Sequence, residues 1–138
     1  MKEKVNFLFI IDISGSMYEQ KIESVNASLA ECIAELKQIG HSSEYDIRVS
    51  IMTFAEKMKF CKINEKIDNI GMFHAKVEPQ EDGLYLITLF SCLYKGLKYL
   101  FDSKTIFDGQ QGKNTFIFLF SDARAVDEKA YNAAYEAI

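Results

Sequence analysis

The sequence predicts a three-layer α/β domain with a mostly parallel central sheet, one antiparallel edge strand and helices on both faces. Three observations carry this. Two runs are apolar almost throughout, "FLFII" at 7–11 and "TFIFLF" at 115–120. Such runs suit strands buried on both faces of a parallel sheet. Segments with helical period separate the strand-like runs. The resulting order of strand, helix, hairpin, helix, strand, helix is that of an α/β layer fold, in which right-handed crossovers put helices on both faces. The 138 residues suit one domain with one core, so the domain is taken as 1–138.

The elements follow in order. Val5–Ile11 is rich in Phe and Ile and reads as the first strand. From Tyr18 to Ile39 the apolar residues Ile22, Val25, Leu29, Ile33 and Leu36 recur at steps of three or four, a helix that Gly40 is placed to stop. Asp46–Phe54, "DIRVSIMTF", alternates and then becomes apolar, and Lys57–Ile63 alternates again. The short Ala55-Glu56 link makes these two runs a hairpin. Residues 64–84 are irregular and hold Pro79. Thr88–Phe101 is helical, with Leu89, Leu93, Leu97 and Leu100 on one face. A polar loop containing "DGQQGKN" leads to the strand Thr115–Phe120, and Asp127–Ile138 is helical in composition. As the last strand, "TFIFLF" would present an apolar edge, which soluble proteins usually cover. The expectation is that further strands and helices belong C-terminal to this piece, or that something else covers the edge.

Composition excludes several classes. About half the residues are apolar and 26% are charged, with a net charge of −4, which offers no basic stripe for nucleic acid. The one dense basic stretch, "EKMKFCK", interleaves Lys with apolar residues and reads as a solvated strand face. Cys32, Cys61 and Cys92 are odd in number and far apart, so buried free thiols are expected rather than a disulfide framework or a zinc site. His41 and His74 are isolated and receive no role. The N-terminal apolar run is too short for a signal-peptide core, and no stretch approaches the roughly 20 apolar residues of a membrane span. A cytoplasmic protein is expected.

The chemistry concentrates in "FIIDISGSMYEQKI", Phe9 to Ile22. An apolar strand ends in Asp12, and Ser14 and Ser16 follow at alternate positions. In an open α/β sheet, ligands sit beyond the carboxyl ends of strands. Three oxygens at alternate positions there can face one point, which suits a hard cation such as Mg²⁺. Asp122 stands at the end of the other apolar strand, so the two tips converge if the strands are neighbours. The competing reading is local: Asp12 caps the helix that follows.

"DISGSM" resembles the Asp-x-Ser-x-Ser motif of the von Willebrand factor type A domain, the metal-ion-dependent adhesion site. The stretch "FLFIIDISGSMYEQKIESVNASL" is similar to the bacterial TerY-like branch, tied to tellurite resistance and stress-response gene clusters. "VSIMTF" is similar to that family's second strand, and "FIFLFSDARAVD" to its Ser-Asp-Gly-x-x-Thr-Asp segment. The resemblance implies a Rossmann-like fold and a divalent cation, Mg²⁺ first, with Mn²⁺ or Ca²⁺ as alternatives. It implies that Ser14 and Ser16 bind the metal directly, and that Asp12 and Asp122 act directly or through water. Thr88, in "DGLYLITLFSCLYKGL", matches the remaining ligand, although Leu86 and Ile87 stand where the family usually has Gly before it. Ala123 replaces the usual Gly after the second Asp, and Val126 the usual Thr before Asp127. The implied function is metal-dependent protein binding, with a partner supplying an Asp or Glu carboxylate to the metal and with no nucleic acid or membrane.

Two other classes compete with it. An aspartyl phosphotransferase wants a second acid two residues after its nucleophile, where Ser14 stands, and a Lys near a third strand tip. Serine hydrolysis wants Gly-x-Ser-x-Gly with a His, and nucleotide binding wants a Gly-rich loop where Gly15 is alone. An enzyme is therefore not expected. A scaffold that keeps the fold but binds metal poorly remains the second alternative.

Overall fold

Aromatic and β-branched residues pack well on a pleated surface, and the stretch before Asp12 is made of them. It forms strand β1, Glu3–Asp12. The structure is a computed structural model and describes residues 3–18, 20–55, 57–77, 95–99 and 114–121. Among these the strands are β1, β2 (Tyr45–Phe54), β3 (Met58–Lys66) and β4 (Thr115–Phe120). They form one sheet in the order β3-β2-β1-β4. β1 runs parallel to β2, in register from Glu3↔Tyr45 to Asp12↔Phe54, and parallel to β4 from Asn6↔Thr115 to Ile11↔Phe120. β3 is the antiparallel edge. The expected mixed sheet is therefore present, and the two apolar strands are neighbours.

Helix α1, Gln20–Ser42, crosses from β1 to β2. Its buried stripe of Ile22, Val25, Leu29, Ile33 and Leu36 packs on Phe9, Ile11, Ile47, Val49 and Ile51. Side chains alternate across a strand, so Leu8, Ile10, Met52 and Phe54 point the other way. They form a second cluster with Met58, Phe60 and Leu97, the last from a helical stretch at 95–99. Helical residues thus lie on both faces. The rest of the expected middle helix and the C-terminal helix lie outside the described residues, as do Pro79 and Cys92.

Two expectations about the elements need correction. Gly40 does not stop α1, which continues to Ser42. A Cβ at Gly40 would stand 3.1 Å from Cγ2 of Ile67 and 3.8 Å from Cδ1 of Ile47. The glycine therefore lets the last turns of the helix lie close to the turn after β3. β3 is also longer than its alternation suggests. Its register with β2 shifts twice, between Val49 and Ile51 and between Ile51 and Met52. Each shift adds a residue on β3, as in a bulge, and Asn64 takes a left-handed conformation there (φ 51°). The Asn64 N–H donates to Oγ of Ser50 at 2.8 Å. The broken period is why the alternation faded early.

A 3-10 turn, Ile67–Asn69, follows β3, and residues 70–77 then run without regular structure. This strap is fastened from α1. Asn26, on the buried face of the helix, accepts the Ala75 N–H at 2.7 Å and donates to the Ala75 carbonyl at 2.9 Å. Ile70 and Ala75 are buried beneath it. Among the described residues β4 is the outer strand at the other side of the sheet, and its Phe116, Ile117, Phe118 and Leu119 are 42–52% exposed. The rings of Phe116 and Phe118 stack on Phe7 and Phe9, each at 5.4 Å between centroids. Cys32 and Cys61 are free thiols, half-buried rather than buried. His41 bonds Asp68 at 2.7 Å on the surface. Among the described residues no helix is long and apolar enough to cross a membrane.

Candidate metal centre

The parallel register sets the site. Because Ile11 pairs with Phe120, the next residues on the two strands, Asp12 at the end of β1 and Ser121 just past β4, stand side by side. Asp12 is fully buried. A buried carboxylate needs hydrogen-bond donors, and it has them on both oxygens. The Ser14 N–H donates to Oδ1 at 2.9 Å, and the Ser121 hydroxyl donates to Oδ2 at 2.8 Å. The Ile13 N–H donates to the Phe54 carbonyl at 2.9 Å, which ties the loop to the tip of β2 as well.

After Ser14 the chain makes a single 3-10 turn, Gly15–Met17, before α1 begins at Gln20. Asp12 is therefore not the cap of α1. It holds the loop by bonding the amide two residues on, a turn that Asp makes readily. Met17 is buried and anchors the turn to the core. The turn brings Ser14 and Ser16 together, with their hydroxyl oxygens 3.1 Å apart. Ser14 is buried and Ser16 half-buried, so the pair opens toward the surface.

This arrangement can be tested against the ion that the motif implies. Ser14 Oγ and Ser16 Oγ hydrogen-bond each other at 3.1 Å, a spacing that two adjacent ligands of an octahedral ion with metal–oxygen distances near 2.1 Å, about 3.0 Å apart, also have. The side chains gathered here among the described residues, Asp12, Ser14, Ser16 and Ser121, offer carboxylate and hydroxyl oxygens, the chemistry of a hard divalent cation. The residues fit such an ion. No group of three or more His, Cys, Asp or Glu side chains placed to hold a metal occurs among the described residues.

The structure thus brings together Asp12, Ser14 and Ser16, as the sequence predicts. Thr88 and Asp122 lie outside the described residues, although Ser121, directly before Asp122, reaches the site. Sequence reasoning gave Ser121 no role. Its signal was its position, the first residue past an apolar strand that neighbours β1.

No curated protein matches the chain. The family model for the von Willebrand factor type A domain matches residues 6–138. Domains of this kind commonly mediate metal-dependent protein interactions. With the match covering nearly its whole length, the chain belongs to the von Willebrand factor type A domain family.

Proposed function

We propose that this domain binds a protein partner through a divalent cation held at the tips of β1 and β4. The observation that carries the reading is the juxtaposed pair of hydroxyls, Ser14 and Ser16, beside a buried Asp12 that accepts a hydrogen bond on each oxygen. Ser14 and Ser16 would hold the cation directly, with Asp12 behind them. Thr88 and Asp122 complete the proposed ligand set on the strength of the family resemblance. Mg²⁺ is the preferred ion, ahead of Mn²⁺ and Ca²⁺. Bound there, the ion supplies Lewis acidity that neutral hydroxyls leave largely unquenched.

The chain's own residues then have separate tasks. Asp12 fixes the loop through the Ser14 amide, so the two hydroxyls are positioned before any ligand arrives. Ser16, at the half-buried outer side, borders the path by which a partner carboxylate, Asp or Glu, would reach the ion. A charge-assisted contact of this kind gives specificity, and surrounding apolar contacts add area. A binding role rather than catalysis fits the absence of a paired acid at Ser14. A place in the TerY-like branch, with a cytoplasmic role in bacterial tellurite or stress response, is the finer form of the same proposal.

Thermal melts in EDTA, Mg²⁺, Mn²⁺ and Ca²⁺ test it. A ligand of the folded state alone adds about 2.7 kcal/mol at a hundredfold excess over Kd. Wild type should gain stability with metal, and Asp12→Ala should not. Ser16→Ala keeps the bonds to Asp12 and serves as the milder variant, and it should lose the metal response with little change in EDTA. A wild type that melts identically in every condition refutes metal binding and favours a scaffold role.

A further inference from the structure

The Ser121 hydroxyl is the feature that the proposed ligand set does not use. It comes from β4, and it donates to Oδ2 of Asp12 at 2.8 Å. Oδ1 is held at 2.9 Å by the Ser14 amide, from the loop after β1. The terminal torsion of an aspartate is broad and roughly two-fold. A donor on each oxygen, one from the loop after β1 and one from β4, sets the plane of this carboxylate.

That fixed plane bears on which ion the site takes. Mg²⁺ demands six oxygens at about 2.0–2.1 Å, whereas Ca²⁺ takes six to eight at about 2.3–2.6 Å and often chelates a carboxylate through both oxygens. We propose that Ser121 is a specificity-determining positioning residue: by pinning Oδ2 it keeps Asp12 from offering both oxygens to one ion, and so biases the site toward a small six-coordinate cation and against calcium. The inference rests on the metal-binding reading above.

The test is the ratio Kd(Ca²⁺)/Kd(Mg²⁺), measured by titration calorimetry on the whole chain for wild type, Ser121→Ala and Ser121→Thr. Loss of a residue that orients a ligand typically costs about 10- to 100-fold in metal affinity. Ser121→Ala should therefore lower the ratio by about tenfold or more, with Mg²⁺ affinity falling and Ca²⁺ affinity kept, and Ser121→Thr, which keeps the hydroxyl, should restore it. A ratio unchanged in Ser121→Ala overturns the proposal, as does a Thr variant that behaves like Ala. Equal loss of both affinities also overturns it, since that marks a plain ligand or a structural prop. If the Ala variant does not fold, Ser121→Cys decides: its weaker donor must move the ratio the same way, and an unmoved ratio refutes the role. Wild type that binds neither ion refutes the metal reading itself. Wild type that binds with an insensitive ratio refutes only the role of Ser121.

Discussion

Removing the Asn26 side chain gives the sharpest energetic prediction. Asn26 satisfies both backbone groups of Ala75, at 2.7 and 2.9 Å. Both residues are buried, Asn26 at 6% and Ala75 at 3% exposure. Asn26→Ala would leave a buried N–H and a buried carbonyl without these partners. An orphaned buried group costs about 1–3 kcal/mol, so the pair amounts to roughly 3–4 kcal/mol. The better helix propensity of Ala returns only about 0.7 kcal/mol at most. Against a typical total of about 5–15 kcal/mol, the loss is large. Asn26→Asp keeps the acceptor for the Ala75 N–H and loses only the donor, so about half the effect is expected. Urea titration followed by far-UV circular dichroism measures both, and amide exchange at Ala75 reports the strap directly. An Asn26→Ala protein within about 0.5 kcal/mol of wild type, the size of an ordinary surface substitution, with the Ala75 amide still protected, would refute the clamp.

Two further outcomes follow from the packing. Leu29 is fully buried at the centre of the α1 stripe, so Leu29→Ala should lower stability by about 3 kcal/mol, read from the same urea titration. Leu119 is half-exposed on the outer strand, where a lysine opposes strand-to-strand association. Leu119→Lys should therefore reduce self-association in light scattering at high protein concentration while leaving the urea midpoint nearly unchanged.

Local pattern made β1, α1 and β2 legible, because each carries its period over a long run. Ile22 to Leu36 announced a helix, and "FLFII" a doubly buried strand. What stayed hidden was set by distant partners. Gly40 has the chemistry of a helix stop, yet Ile67 and Ile47 make it a point of close approach. The bulges erased the alternation of β3 beyond Ile63. Nothing local tells that Asn26 would hold Ala75, a residue 49 positions away. In the site, Asp12, Ser14 and Ser16 were readable because they lie within one short loop. Ser121 was not, because its role depends on which strand stands beside β1.

The bond between Ser121 and Asp12 spans 109 positions in the chain, and that separation has a consequence in time. At the usual pace of synthesis the two residues emerge about 5–20 s apart. Through that interval β1 can already pair with β2, while the carboxylate at its tip still awaits the Ser121 hydroxyl. The loop at the strand tip is thus among the last parts of the domain to take final form during biosynthesis. Closing so long a loop is also slow relative to local pairing. A newly made chain would therefore have its α1–β2 core before Ser121 has reached Asp12.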